Sequence, residues 1–137
     1  MKYIAILGHG VVGGGCARML TENADRVRER VGEDVFVRYI LDVRDLPDSP
    51  FADRIVHDFD VILNDPEISL VAEAIGGSHP AFEYTKAALE AGKHVVTSNK
   101  ECVSRFGVTL TEAAAKHGVT YRFEASCGGG IPLIGPL

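Results

Sequence analysis

Apolar residues occur in short runs along this chain, separated by longer and partly polar segments. The first run, Tyr3 to Leu7, has no polar break, and such a run is typical of a strand buried on both faces of a parallel sheet. Similar patterns predict strands from Val35 to Asp45, Leu70 to Ile75, His94 to Thr97 and Val119 to Ala125.

Helical patterns occupy the segments between these strands. One helix is predicted from Val11 to about Gly32, with small and apolar residues in its first half and charged residues in its second. Ser78 is predicted as the N-cap of a helix that ends at Gly92, and a further helix runs from about Val108 to Lys116. Residues 52–66 are interpreted as a short strand and one helical turn. This alternation predicts an α/β fold with a doubly wound parallel sheet.

A glycine-rich turn, GHGVVGGG, follows the first strand and opens the first helix. Gly8 is predicted to make the sharp exit from the strand, Gly10 to let a diphosphate approach the backbone, and Gly13 to let the helix pack against the strand. Free N–H groups at the start of that helix then hold the phosphates. The motif predicts a dinucleotide-binding site; the alternative is a tight turn that binds no ligand.

Length and composition narrow the class of protein. The 137 residues, 46% hydrophobic and 24% charged, predict one domain over residues 1–137. The net charge of −5 argues against a nucleic-acid partner, and no apolar stretch approaches the ~20 residues of a membrane span. The first strand begins too early for a signal peptide, and Cys16, Cys102 and Cys127 lack CxxC spacing and are interpreted as reduced thiols. These features predict a cytoplasmic protein.

The end of the second strand carries residues suited to a nucleotide's ribose. Ligands of doubly wound sheets bind at the carboxyl ends of the strands, where an acidic residue pairs with the ribose hydroxyls of NAD and an arginine accommodates the 2′-phosphate of NADP. Here Asp42 and Arg44 offer both. A solvated salt bridge to neighbouring acids is the alternative for Arg44. We favour Arg44 as a 2′-phosphate ligand, with NADP or NAD as the cofactor.

Three more loops at this edge carry candidate residues. Gly76-Gly77, after Ile75, lets the backbone pass close to a ring or ribose, or else forms a simple turn. Lys100 lies where a nicotinamide would end, so it is a candidate for holding a substrate oxygen, with an ordinary surface lysine as the alternative. The loop from Cys127 to Gly130 is interpreted as one of three things: a flexible hinge, a cation site lined by carbonyl oxygens or a substrate loop. Glu124 precedes this loop.

Four sequence blocks together resemble one family. They are GHGVVGGG, EAIGG at Glu73 to Gly77, VVTSNK at Val95 to Lys100 and FEASCGGGIP at Phe123 to Pro132. In this order and spacing they resemble the nucleotide-binding, Rossmann-type half of homoserine dehydrogenases. The resemblance implies NAD(P)-dependent interconversion of L-homoserine and L-aspartate 4-semialdehyde, a small amino-acid substrate, a role in threonine and methionine biosynthesis, and a homo-oligomeric parent enzyme.

The resemblance also implies roles for single residues. Ile75 and Gly76 would line the nicotinamide side, and Lys100 would be the catalytic lysine of this half. A monovalent cation, Na⁺ or K⁺, would be bound mainly by backbone carbonyls. Cys127 and His9 depart from the family, which usually has valine at the first position and often an aromatic or aliphatic residue at the second. The implied diphosphate ligands are Gly8, Gly10, Val11, Val12 and Gly13, and the implied cation ligands are Glu124, Cys127, Gly129 and Ile131.

The family's other catalytic residues lie in a domain that follows this half. We therefore expect the chain to end at the entrance to that domain, and expect residues 1–137 alone to bind cofactor without turning over substrate. Two alternatives remain open. One is the cofactor domain of a related amino-acid or sugar oxidoreductase, and the other is a non-enzymatic module that senses nucleotides.

Overall fold

The computed structural model describes residues 2–124, which form a six-stranded sheet in the order β3-β2-β1-β4-β5-β6. Every neighbouring pair is parallel. The chain order reverses between β1 and β4, which is the switch point of a doubly wound, Rossmann-type sheet, so the predicted fold is confirmed. The strands are β1 (Lys2–Leu7), β2 (Val35–Leu41), β3 (Ile55–Val56), β4 (Ile68–Glu73), β5 (His94–Thr97) and β6 (Tyr121–Phe123).

Helices cover both faces of this sheet. Residues of β1 alternate between two cores, with Ile4 and Ile6 in one and Ala5 and Leu7 in the other, and all four are buried. This explains the unbroken apolar run, because neither face of the central strand meets water. The helices are α1 (Val11–Glu22), α2 (Ala24–Val31), α3 (Phe59–Leu63), α4 (Ala81–Glu90) and α5 (Lys100–Lys116), with a 3-10 turn at Ala52–Arg54.

Three predicted helix boundaries are wrong. The first predicted helix is two helices, because the backbone at Asn23 leaves helical geometry. Helix α5 begins at Lys100, eight residues before the predicted start at Val108, because the Asn99 side chain caps it by accepting a hydrogen bond from the Cys102 N–H at 3.1 Å. Ser78 does not cap α4: Pro80 holds that position, and the Ser78 hydroxyl bonds to Glu101 and Arg105 instead.

Strand ends and cysteines bring smaller corrections. Strand β2 ends at Leu41, so Asp42 and the residues after it form a loop rather than continuing the strand. Cys102 is a buried free thiol, as expected, whereas Cys16 is disulfide-bonded, so the prediction of a reduced thiol is wrong for Cys16. Within residues 2–124, no helix combines the length and the apolar character needed to cross a membrane.

Candidate dinucleotide-binding site

The glycine turn joins β1 to α1 at the switch point of the sheet. Gly8 has a φ of +96°, and a Cβ there would come within 2.9 Å of the Ala74 carbonyl oxygen. A Cβ on Gly13 would overlap the carbonyl oxygen of Gly8. These two glycines therefore have the packing roles predicted for them. Gly10 differs, since no atom lies within 4 Å of the place that its Cβ would take.

The start of α1 presents unpaired N–H groups beside this open space. Gly10 is the N-cap and makes no side-chain capping bond, and no acidic residue lies in the first turn, which begins with Val11 and Val12. The N–H groups of a first helical turn have no partner within the helix, and the helix dipole favours negative charge there. The local geometry suits a diphosphate.

Asp42 follows β2 next to this turn, and each of its two carboxylate oxygens accepts two hydrogen bonds. Oδ2 accepts hydrogen bonds from the His9 N–H and from Arg44 Nη2, both at 3.0 Å. Oδ1 accepts from the Arg44 N–H at 2.9 Å and from Arg44 Nε at 3.0 Å. The bonds from the Arg44 side chain, helped by the two backbone N–H groups, hold the pKa of Asp42 far below its usual range. Asp42 is thus a fixed anion.

Arg44 and His57 both form hydrogen bonds with Asp42. The Arg44 side chain is more than half exposed, and its Nη2 also donates to the His9 carbonyl oxygen at 3.3 Å, so the guanidinium lies across the glycine turn. His57 Nδ1 is 2.7 Å from the Asp42 carbonyl oxygen and its Nε2 is 2.9 Å from Asp45 Oδ1. The bond to the Asp42 carbonyl, followed by that to Asp45, raises the pKa of His57.

These groups border a cleft of about 380 Å³ above the carboxyl edge of the sheet. One wall consists of the loop after β2 and the other of residues 74–75, Pro80 and Tyr84. Gly8, His9 and Gly10 form its floor between the two. A cleft at the switch point is where doubly wound sheets bind dinucleotides.

His9 supports the loop that closes the β2 side. Its Nε2 lies 3.0 Å from the Ser49 hydroxyl oxygen, and its ring meets the Phe51 ring edge-on with centroids 6.0 Å apart. His9 therefore anchors residues 49–51 to the glycine turn.

A second buried network joins the ends of β4 and β5. The Glu73 carboxylate accepts from the Thr97 hydroxyl and from the Ile75 N–H, each at 2.8 Å. Asn99 Nδ2 donates to the Gly77 carbonyl oxygen at 2.6 Å and lies 3.5 Å from Glu73 Oε2. The network therefore ties the loop of residues 74–77 to the start of α5.

Lys100 is the first residue of α5, and its side chain is exposed at the same edge of the sheet. Within the described part of the chain, its ammonium group has no hydrogen-bond or ion-pair partner. Gly76 and Gly77, with φ of +87° and +73°, form the neighbouring exposed turn. The structure thus brings Ile75, Gly76 and Lys100 to one edge, as the motifs predict, but away from Arg44, which lies at the end of β2.

Of the predicted cation ligands, only Glu124 lies among the described residues. Its N–H donates to the Thr97 carbonyl oxygen at 2.8 Å, which places it at the carboxyl edge beside β5. Its carboxylate is 3.9 Å from Arg122 Nε. Cys127, Gly129 and Ile131 lie outside the described residues.

Sequence reasoning missed two groups near the cleft. His57 has no local motif, and it reaches Asp42 only because β3 pairs with β2. Glu73 is part of the EAIGG block, but that motif predicts no role for its side chain. A usable signal was present, since an acidic residue in the run LVAEAI falls in a strand that is otherwise suited to burial.

Comparison with known proteins gives a consistent result. The family model described as homoserine dehydrogenase, NAD binding domain, matches residues 8–124. Homoserine dehydrogenase of Pseudomonas aeruginosa is 40% identical over 133 residues, which cover 96% of this chain and 30% of the relative. That of Lactococcus lactis is 36% identical over 140 residues, covering 98% of this chain and 32% of the relative.

A solved structure agrees with the sequence relatives. The crystal structure of a homoserine dehydrogenase from Thiobacillus denitrificans has a TM-score of 0.84 and 34% identity, covering 91% of this chain and 30% of that one. The chain thus spans 30% to 32% of the length of these relatives. From the match over residues 8–124 and these identities, the chain belongs to the homoserine dehydrogenase family and represents its NAD-binding domain.

Proposed function

We propose that this chain binds NAD(P) in the cleft at the switch point and is the cofactor-binding part of an enzyme that interconverts L-homoserine and L-aspartate 4-semialdehyde. The observation that carries the proposal is the open space at Gly10, in front of the uncapped start of α1. The diphosphate lies there, held by N–H groups of the turn and of Val11, Val12 and Gly13.

The sheet topology orients the two ends of the cofactor. The adenosine ribose lies at the end of β2, next to Asp42 and Arg44, because that half of a doubly wound sheet takes the first mononucleotide. The nicotinamide then lies across the switch point, over the ends of β4 and β5, where Ile75, Gly76 and Lys100 are found.

Arg44 favours NADP in this arrangement. Its exposed guanidinium is held in place by Asp42 and can bind a 2′-phosphate on its free side. A planar cation in a fixed orientation suits the geometry of a phosphate group. Asp42 has four N–H donors already, so its oxygens are less available to ribose hydroxyls than those of a free carboxylate.

Cofactor titration tests this assignment. NADP and NAD are titrated by calorimetry into the wild-type chain and into Arg44→Ala, with Arg26→Ala on the exposed face of α2 as the control. Arg44→Ala is expected to lower the affinity for NADP by about tenfold more than that for NAD, which is the effect of losing one charge-assisted contact. Equal losses for both cofactors would show that Arg44 does not bind the 2′-phosphate.

Lys100 is proposed to act on the substrate. When bound, the cofactor would supply hydride-transfer chemistry at the carbinol carbon of homoserine, and the proton of the homoserine hydroxyl would have to leave as well. The exposed ammonium of Lys100, which has no partner among residues 2–124, lies at the nicotinamide edge, where it can hold the substrate oxygen as charge develops on it.

Residues 1–137 alone are proposed to bind cofactor without oxidising homoserine. The chain spans 30% to 32% of its relatives, and Lys100 is the one catalytic residue that the family resemblance assigns to this half. The chain is incubated with L-homoserine and NADP⁺, and absorbance at the nicotinamide band is followed. Steady formation of NADPH would contradict this part of the proposal.

A monovalent cation is proposed near Glu124, held by backbone carbonyls of Cys127, Gly129 and Ile131. Support comes from the position of Glu124, whose N–H is bonded to the end of β5. Thermal unfolding in NaCl or KCl is compared with that in choline chloride at equal ionic strength. A melting temperature that is higher only with Na⁺ or K⁺ supports the site, and identical curves contradict it.

A further inference from the structure

Glu73 is a buried carboxylate that has no cationic partner in the described part of the chain. It ends β4 with 2% of its surface exposed, and its oxygens accept from the Thr97 hydroxyl and the Ile75 N–H. Within residues 2–124, no lysine, arginine or histidine pairs with it. Buried carboxylates are normally paired, because removing the charge from water is costly, so an unpaired one needs an explanation.

The position of Glu73 in the fold explains why its carboxylate is unpaired. Ile75, whose N–H bonds to Glu73 Oε2, also lines the cleft, so the carboxylate lies just beneath the cleft wall. That wall is formed by the loop after β4 and by the start of α4, on the far side of the switch point from Asp42. In the proposed function this is the nicotinamide half of the site.

Two titratable side chains near Glu73, those of Cys102 and Tyr121, have raised pKa values. Burial raises the pKa of the Cys102 thiol, and the charge of Glu73 raises it further. The pKa of the Tyr121 hydroxyl is also raised, first by burial and then by Cys102 and Glu73. Glu73 and Cys102 are both buried at this end of the sheet, where charges interact more strongly than in water.

We propose that Glu73 sets the preference of the site for the redox state of the nicotinamide, favouring the oxidised form. The oxidised ring carries a positive charge and the reduced ring is neutral, so a fixed anion under the cleft wall stabilises only the first. Hydride transfer to the ring cancels that charge, and the bound reduced cofactor loses the attraction. This inference rests on the proposed function, which places the nicotinamide here.

The test separates the charge of Glu73 from its hydrogen bonds. Glu73→Gln removes the charge with little change in shape. Thr97→Val keeps the charge but removes both hydrogen bonds of the Thr97 hydroxyl, the one it donates to Glu73 and the one it accepts from the Asn99 N–H. Glu73→Met is a second neutral variant, and circular dichroism shows which variants are folded. Dissociation constants for NADP⁺, NADPH, NAD⁺ and NADH are measured by calorimetry for each folded chain.

Neutral variants are expected to lose roughly five- to tenfold more affinity for the oxidised than for the reduced cofactor, as for one charge acting over a few ångströms at a partly solvated site. Thr97→Val is expected to change both affinities by the same factor. An unchanged ratio in Glu73→Gln or Glu73→Met, with the wild type binding both forms, overturns this inference and leaves the proposed function intact. A wild-type chain that binds neither form overturns both.

Discussion

At the scale of single residues, neighbouring glycines of one helix do different things because their surroundings differ. Gly13 has no room for a Cβ, since the Gly8 carbonyl oxygen occupies the place. Gly15, two residues further along α1, has nothing within 4 Å of that place. Packing against the sheet accounts for Gly13, and nothing in residues 2–124 accounts for Gly15.

Gly15→Ala is therefore expected to stabilise the chain. Alanine lowers the entropy of the unfolded chain and is the better helix former, which is worth about 0.5–1 kcal/mol in a helix interior. Chemical denaturation measures the change in free energy of unfolding. Gly13→Ala is the opposite control, expected to destabilise by about 1–3 kcal/mol or more through overpacking. A loss of stability in Gly15→Ala would contradict this account of α1.

His94 is expected to make the fold sensitive to acid. Its Nδ1 accepts from the Thr120 N–H at 3.1 Å, which requires the neutral ring at that nitrogen, and burial, followed by the charge of Lys2, lowers the pKa of His94 from 6.5. Because the folded state binds the proton less readily than the unfolded state, this contribution is complete above pH 6.5 and is lost as the pH falls through the folded pKa.

Unfolding measured between pH 8 and pH 5 tests that sign. The wild type should lose stability across this range more steeply than His94→Gln, which does not titrate. His117→Gln, at the exposed end of α5, is the matched control and should follow the wild type. Parallel curves for the wild type and His94→Gln would show that His94 is not responsible.

At the scale of elements, Asn99 joins three parts of the fold. Its Oδ1 caps α5, its Nδ2 bonds to the Gly77 carbonyl oxygen, and its N–H bonds to the Thr97 hydroxyl. The beginning of α5, the end of β5 and the turn after β4 thus share one side chain, which fixes Lys100 relative to Gly76 and Gly77.

Replacing Asn99 should therefore cost more than an ordinary helix cap. Loss of a cap costs about 0.5–2 kcal/mol, and Asn99→Ala also removes the hydrogen bond to the Gly77 carbonyl oxygen, for about 0.5–1.5 kcal/mol more. Asn99→Ser keeps a capping oxygen and should lose less. Both are measured by chemical denaturation. Equal losses in the two variants would mean that the cap contributes nothing.

The same elements show why some boundaries follow from sequence and others do not. The apolar runs of β1 and β5 are local, and their predicted ends lie within one residue of the observed ones. The start of α5 depends on Asn99 as its cap. Gly107, which lies within the helix, makes the sequence pattern indicate a later start, at Val108. The role of Ser78 depends on Arg105 and Glu101, which come from a different element.

At the scale of the whole molecule, the order of the strands decides what the sequence shows of the site. The glycine turn and the position of Lys100 could be predicted, because each is a short segment at the end of a strand. His57 with Asp42, and Glu73 with Thr97, could not, since they are 15 and 24 residues apart and meet only once β3 lies on β2 and β5 on β4.

The backbone of the glycine turn is proposed to bind the diphosphate of a dinucleotide, and Gly10 allows this binding to be tested without disturbing the fold. Gly10 has a negative φ of −87°, and no atom described in residues 2–124 lies within 4 Å of the place of its Cβ, so alanine fits there. The added methyl group would, however, occupy the place proposed for the diphosphate. The measurement is the dissociation constant for NADP in Gly10→Ala, with Gly15→Ala as the control. The account predicts about tenfold or greater loss of affinity, corresponding to about 1.4 kcal/mol or more, at an unchanged melting temperature. Wild-type affinity in a folded Gly10→Ala chain would contradict it.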